Sequence, residues 1–344
     1  MRAHPGKGKL IPAGYYPVLS GGKSMQNIFI TGVSGYIGRK LLAFLDAKPD
    51  VRKSVGIDTR EPSIRPGKLV FYRKDVREPV GDILLQHGVD TVVHLAYVVP
   101  PLHNKSLMED VNIGGTRNIL ASCLKSPVEQ IIYTSSATAY GFHADNDIPL
   151  TEDSPLRGND DFVYSKNKKE IEGIFSRFRK DNPGYTITIL RPAFVAGPVF
   201  DNPLARHMQK RFVLLPSAAT PFQYVHEDDL VEIIYLLLQR RVEGIFNVGA
   251  AGTITFPEMI KLLGNIMVPL PFPVMSLLND VAWFLRLSFI SEFPSPALNM
   301  VRFPWAVSSQ KLTAELGYRY KYTTRETFMD FAGAFTKSRR GGKQ

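Results

Sequence analysis

Thr31-Gly32-Val33-Ser34-Gly35-Tyr36-Ile37-Gly38 is the stretch that decides the fold. It follows a β-branched run at 27–31 and precedes a segment in which Leu41, Leu42 and Leu45 share one helical face. Glycines at 32, 35 and 38 permit a tight strand-to-helix turn, close approach of the backbone to a pyrophosphate, and close packing of helix on strand. The helix start then offers free N–H groups and a positive dipole end to phosphates. Loops carry glycine for conformational reasons alone, so the triplet needs context. Asp58 supplies it: 26 residues beyond Gly32, it closes the next apolar run, where a carboxylate receives the adenosine ribose hydroxyls. Gly32, Gly35, Tyr36, Ile37, Gly38 and Asp58 are therefore expected to hold a dinucleotide. Asp58 repels a 2′-phosphate and favours NAD over NADP, while Arg60, two residues on, works the other way. Asp75 and Val76 follow the third run, where they are placed to meet the adenine edge; a plain turn aspartate has the same signature.

Working outward, strand-like runs at 27–31, 54–57, 69–72, 91–95, 130–134 and 186–190 alternate with helical stretches, the pattern of parallel βαβ units. Six such runs before residue 191 predict an α/β fold, a doubly wound parallel sheet of the Rossmann kind. Beyond Arg191 prolines at 192, 198, 203, 216 and 221 loosen the rhythm, followed by a helix at 228–239 and a strand at 245–248. The expected organisation is a flexible basic extension at 1–24 and a nucleotide-binding domain at 25–196 with later elements near 224–250. A smaller interleaved substrate lobe follows at 197–223 and 251–336, then a basic tail at 337–344. No internal repeat is visible.

The catalytic signal is Tyr164-Ser165-Lys166-Asn167-Lys168, which puts Tyr164 and Lys168 four apart at a helix start, on one face. A tyrosine with its ordinary pKa of about 10 is a poor base at neutral pH. An ammonium beside it favours the phenolate and makes it a usable proton donor and acceptor. YxxxK is common by itself, and gains weight here from the hydroxyl cluster Ser135-Ser136-Ala137-Thr138-Ala139-Tyr140-Gly141 after the fifth run.

These motifs come in one order: the glycine turn, Asp58, Asp75-Val76, His94-Leu95-Ala96, Val111-Asn112, Ser135 to Gly141, Tyr164 to Lys168, Arg191-Pro192, Tyr224-Val225-His226 and Phe246-Asn247-Val248-Gly249. In that order the chain resembles the extended short-chain dehydrogenase/reductases, the group of nucleotide-sugar epimerases, dehydratases and 3β-hydroxysteroid-type dehydrogenases, over residues 25 to 325. The resemblance implies that Ser136 hydrogen-bonds the reacting oxygen, with Ser135 its close competitor. It implies that Tyr164 moves the proton and that Lys168 tunes it and holds the nicotinamide ribose. Leu95 and Ala96 would line the cofactor path, and Pro192 would lie against the nicotinamide. A homodimer paired through the helix bearing Tyr164 and the one before it is also implied.

Nucleotide-sugar members place an asparagine and an arginine, both gripping the diphosphate, where this chain has Phe194 and Phe222. Val98, in the apolar run 98–102, and the segment 273–290 add further apolar surface. Val98, Ser136, Phe194 and Phe222 are expected on the substrate side, and the expected substrate is an apolar or amphipathic secondary alcohol or its ketone. A nucleotide-sugar 4-epimerase or dehydratase and a non-catalytic dinucleotide-binding regulator are the competing readings.

The chain has 344 residues and a formal charge of +10. Arg2, Lys7, Lys9 and Lys23 face no acid within 1–24, and Lys337, Arg339, Arg340 and Lys343 face none within 337–344. Eight of the ten net charges thus sit on these ends, leaving the middle close to balance, which argues against nucleic acid as a partner and allows weak peripheral contact with an anionic membrane. One cysteine, Cys123, permits no internal disulfide and no cysteine metal site, and the seven histidines show no metal-binding spacing. Residues 1–24 lack the apolar stretch of a signal peptide, and a cytoplasmic location is expected.

Overall fold

A computed structural model describes residues 26–216, 220–288 and 290–341. The expected extension at 1–24 lies outside them. The run at 27–31 is β1 (Gln26–Thr31), and the glycine turn feeds α1 (Tyr36–Asp46), which buries Leu41, Leu42 and Leu45. There follow β2 (Val51–Asp58), β3 (Leu69–Arg73), α2 (Gly81–Gln86) and β4 (Thr91–His94). Next come α3 (Lys105–Glu109), a π-helical turn at Asp110–Gly114, α4 (Gly115–Cys123) and β5 (Gln130–Thr134). A 3₁₀ turn (Ala137–Tyr140) leads to the long α5 (Val163–Asp181) and β6 (Thr186–Pro192).

The second half holds β7 (Phe194–Ala196), α6 (Pro203–Met208), β8 (Phe212–Pro216), β9 (Tyr224–His226), α7 (Glu227–Arg240) and β10 (Gly244–Val248). It ends with α8 (Phe256–Leu262), β11 (Ile266–Leu270), α9 (Phe272–Phe284), α10 (Asn299–Arg302), α11 (Gln310–Leu316) and α12 (Thr324–Gly341).

Seven strands form one parallel sheet in the order β10-β6-β5-β4-β1-β2-β3. Strands buried on both faces explain why the runs read as continuous β-branched stretches. One face is closed by α1, α7 and α11 through Leu41, Leu45, Leu230, Ile234, Leu237 and Leu312. The other is closed by α2, α4 and α5 through Leu84, Ile119, Leu120, Ile171 and Phe175. The bottom of the sheet is tied to α7: Gln26 Nε2 donates to the Leu238 carbonyl and Gln130 Nε2 to that of Leu237, both at 2.8 Å. The first satisfies a carbonyl that the end of the helix leaves open, and the second is shared with the Arg241 N–H on Leu237.

Outside this sheet, β8 pairs with β11 and β7 with β9, four short strands that the proline-broken sequence did not announce. Around them Tyr140, Phe142, Phe222, Tyr224, Phe256, Trp305 and Phe328 form a third core. The helix expected across 273–290 stops at Phe284, and Arg286 adopts a left-handed φ of 58° that ends it. Among the described residues no helix is long and apolar enough to cross a membrane.

Candidate active site

In an open parallel sheet the crevice lies at the carboxyl ends of the strands, where the order reverses between β1 and its neighbours. Here that point is latched by one hydroxyl. Thr31 Oγ1 accepts N–H bonds from Leu95 (3.1 Å) and Ala96 (3.0 Å), and lies 2.8 Å from His94 Nδ1. Having accepted twice, the hydroxyl donates its own proton to Nδ1. His94 Nε2 then donates to Thr116 Oγ1 at 3.0 Å, which donates onward to the Asn112 carbonyl at 2.7 Å. A neutral imidazole is the species this chain of bonds requires, and burial with nearby Lys168 pushes the His94 pKa down to about 3.

Gly32 has φ +75°, and a Cβ there would stand 2.8 Å from the Ala96 backbone; one at Gly38 would stand 2.2 Å from the Gly32 carbonyl. Both positions admit glycine alone, so the turn lies flat against β4 and α1 lies flat against the turn. At Gly35 a Cβ would meet only the Gly32 carbonyl, at 3.1 Å. Here α1 begins with no side-chain cap and no acid in its first turn, so its N–H groups remain available to an anion. Asp58 accepts the N–H of Ser34 (3.0 Å) and of Arg60 (3.1 Å), which fixes its carboxylate beside the turn. This donor set suits an anionic dinucleotide with ribose hydroxyls.

The remaining members of the expected cofactor set are more varied. Ile37 packs into the core under the turn. Tyr36 packs on Phe200 in a tilted pair with centroids 5.7 Å apart, and its phenol is pushed up by burial and by Glu227. Asp75 is held by Arg77, with Nε at 3.0 Å and Nη2 at 2.8 Å, and Arg77 also reaches Asp110. That ion pair keeps the Asp75 carboxyl below its usual range. Val76 is buried, against Gly115 of α4. Pro192 ends β6 and is buried.

The first turns of α5 carry Tyr164 and Lys168 on one face. Lys168, 3% exposed, donates to the Thr134 carbonyl at 2.9 Å and the Tyr133 hydroxyl at 3.2 Å, and lies 4.1 Å over the Tyr97 ring. Its nitrogen is 5.9 Å from the Tyr164 ring centroid. The pairing expected from sequence is thus one of proximity, not of contact: the ammonium is drawn to the end of β5. Burial pushes Lys168 down to about 7. Burial also pushes the Tyr164 phenol up, and the Ser136 and Thr138 hydroxyls beside it pull it back.

The two adjacent serines are separated by their partners. Ser135 Oγ donates to Glu172 Oε1 at 2.6 Å, and Glu172 is held bidentately by buried Arg191, whose Nη1 donates to the Tyr140 hydroxyl at 2.7 Å. Ser136, in contrast, caps the 3₁₀ turn through the Thr138 N–H at 3.2 Å and lies beside the Tyr164 phenol. Glu172 is four residues beyond Lys168, a spacing that was readable; Tyr97, Tyr133 and Thr138 carried no separate signal.

A cavity of about 260 Å³ opens next to Tyr164. Its walls are Pro101 and Leu102 from the loop after β4, Met108 from α3, Phe162, and Trp283 from α9. Trp283 stacks on His103 at 4.0 Å. Of the expected substrate residues, Ser136 reaches it only through its place beside Tyr164, and Val98, Phe194 and Phe222 do not line it. Phe222 is 1% exposed and packs on Phe194, Tyr224, Phe256 and Trp305, so it is core; Phe194 covers it. Val98 gives its N–H to Asn112 Oδ1 at 2.8 Å. An aromatic that replaces a polar group at such a position is recruited by the neighbouring apolar cluster, as Phe194 and Phe222 are. Of the apolar run at 98–102, its far end, Pro101 and Leu102, reaches the cavity.

The chain is 28% identical over 313 residues to an uncharacterized protein of Mycobacterium tuberculosis, spanning 88% of this chain and 82% of that one. It is also 28% identical over 196 residues to a UDP-glucose 4-epimerase of Neisseria meningitidis, spanning 53% of this chain and 55% of that enzyme. Among solved structures, a Thermotoga maritima UDP-glucose 4-epimerase with UDP-glucose superposes with a TM-score of 0.71 at 19% identity, over 91% of this chain and 99% of that one. A short-chain dehydrogenase/reductase superfamily protein of Agrobacterium tumefaciens with bound NAD gives 0.71 at 20%, over 92% and 99%. Because residues 28–249, most of the chain and every motif around Tyr164, match its family model, the protein belongs to the NAD dependent epimerase/dehydratase family.

Proposed function

We propose that the protein is an NAD-dependent oxidoreductase that interconverts a secondary alcohol and its ketone on an apolar or amphipathic molecule. The observation that carries the substrate class is the cavity at Tyr164: its walls join the apolar Pro101, Leu102, Met108, Phe162 and Trp283 to the carboxylates Asp161 and Asp280, and its one cationic side chain among the described residues is Lys105, with no guanidinium to fork a diphosphate. Gly32, Gly35 and the start of α1 would hold the pyrophosphate, Asp58 the adenosine ribose, and Leu95, Ala96 and Pro192 the path to the nicotinamide. Bound NAD supplies the hydride acceptor in oxidation and the donor in reduction.

In the oxidising direction the alcohol carbon loses hydride while its hydroxyl proton passes to the Tyr164 phenolate oxygen. Ser136 donates a hydrogen bond to the same substrate oxygen and holds it against Tyr164. Lys168 keeps positive charge near the phenolate, through the field rather than by contact, and a dinucleotide ribose at that position would give its ammonium further acceptors. Glu172, Arg191 and Ser135 hold β5, β6 and α5 in register beneath these groups.

The likeness to nucleotide-sugar enzymes supports a second reading, a 4-epimerase or dehydratase in which oxidation by the same residues is reversed before release. Incubation with NAD and separate panels of hydrophobic secondary alcohols and UDP-hexoses distinguishes them. NADH accumulating with an apolar alcohol is the expected result. A UDP-hexose converted at C4 with no net NADH would overturn the substrate class.

A further inference from the structure

Helix α9 is built inside out. Its residues Val274, Leu277, Leu278, Val281, Phe284 and Leu285 recur at the three- and four-residue spacing of an apolar stripe, which normally faces a core. Here that stripe faces away from the protein, with Leu277 65% and Phe284 82% exposed. The inward side instead carries Met275, Ala282 and the polar Asn279, whose amide donates to the Phe293 carbonyl at 2.8 Å and accepts from Ser291. Neighbouring β8 and β11 repeat the inversion, exposing Phe212, Leu214 and Ile266 while Val213 and Leu215 go to the core. Six apolar side chains on one exposed stripe exceed the scattered surface leucines of a soluble protein.

We propose that this surface docks on an anionic lipid bilayer, with α9 lying in the interface plane. The charge around the stripe selects that occupant. Exposed Arg286 closes the C-terminal end of α9, and exposed Arg211, next to Lys210, flanks Phe212. The only acid of α9, Asp280, is exposed at the edge of the stripe, where it accepts a hydrogen bond from Ser295 and lines the cavity. Glu292, the acid nearest Lys210, is held by Arg206. A second copy laid on this face would bring Arg286 and Arg211 against their own counterparts, whereas anionic headgroups complement them.

The placement has a functional sense that rests on the reading above. On its stripe α9 meets lipid, and at Asp280 and Trp283 it walls the cavity beside Tyr164. An amphipathic alcohol would therefore reach the catalytic groups along the helix without crossing bulk water.

The test is cosedimentation of the full chain with phosphatidylcholine vesicles, with and without phosphatidylserine. Light scattering reports association state in parallel. Binding to the serine-containing vesicles, weakened by salt and reduced on the order of tenfold or more in Leu277→Glu/Phe284→Glu, is the expected result. Arg286→Glu should weaken the preference for anionic lipid and leave the thermal midpoint unchanged, which separates docking from misfolding. Three results would overturn the proposal: no vesicle binding, binding that survives the double variant and so resides in the basic ends, or a dimer abolished by the variant in a protein that ignores vesicles. Binding does not require turnover, so failure of the redox assignment leaves this outcome intact.

Discussion

Replacing Lys168 by methionine should make the protein more stable and inactive. The ammonium is enclosed by Tyr97, Tyr133 and Thr134 with 3% exposure, and its pKa falls from the ordinary 10.5 to about 7. At about 1.4 kcal/mol per pH unit, keeping this side chain in the fold costs on the order of 4–5 kcal/mol at pH 7. The sign follows from which state holds the proton more tightly. The unfolded lysine stays charged up to about 10.5, so the cost is fully present below pH 7 and recedes as pH rises toward 10.5. Wild type without added dinucleotide should gain about 2 kcal/mol between pH 7 and pH 9 from this residue alone. Lys168→Met removes the cost and sacrifices the bonds to the Thr134 carbonyl and Tyr133 hydroxyl, about 1–3 kcal/mol together. The net is a stabilisation of about 1–4 kcal/mol at pH 7, a rise in thermal midpoint of roughly 1–6 °C for a chain of this size. Differential scanning calorimetry of both proteins at pH 7, 8 and 9 measures it. A variant that melts at or below wild type at pH 7, with an unchanged slope against pH, would refute the claim that burial dominates at this lysine. Turnover should fall by about two to four orders of magnitude.

Tyr164→Phe should lose about 10²- to 10⁴-fold in kcat while still binding NAD, measured by quenching of protein fluorescence. Ser136→Ala should cost kcat by a similar order, whereas Ser135→Ala should spare kcat and lower stability by about 1 kcal/mol, since its hydroxyl serves Glu172. Gly38→Ala forces a methyl to 2.2 Å from the Gly32 carbonyl; cofactor affinity should drop at least tenfold and the thermal midpoint should fall. Asp58→Ser should raise the ratio of NADP to NAD efficiency roughly tenfold or more, because removing the carboxylate removes its repulsion of a 2′-phosphate.

The parallel sheet was legible because strands buried on both faces leave unbroken β-branched runs, and the glycine turn was legible because backbone crowding at Gly32 and Gly38 permits no other residue. Tyr164 and Lys168 were legible as a pair, since helical spacing alone sets them on one face. What sits against each was not. Lys168 turns to Tyr133 and Thr134, and nothing in a four-residue spacing says which of several nearby acceptors wins. That Ser135 is engaged by Glu172 while Ser136 stands beside Tyr164 depends on a residue of another element. Phe194 and Phe222 misled because a substitution that removes a sugar-binding group says nothing about where the new ring packs. Trp283 comes to the cavity from well over a hundred residues away in sequence, beyond any local pattern.

The sheet has one consequence for how the chain is made. β1, the first strand among the described residues, lies inside the sheet with four strands on one side and two on the other, and every pairing in the seven-stranded sheet is parallel, so none can form as a local hairpin. The face that Leu41, Leu42 and Leu45 present is closed by α7, Glu227–Arg240, and the edge by β10, Gly244–Val248. A nascent chain therefore carries an open apolar face of its nucleotide-binding half until residue 240 has left the ribosome. Chains truncated before Glu227 should be held by chaperones or aggregate, even though their glycine turn and Tyr164 are already complete.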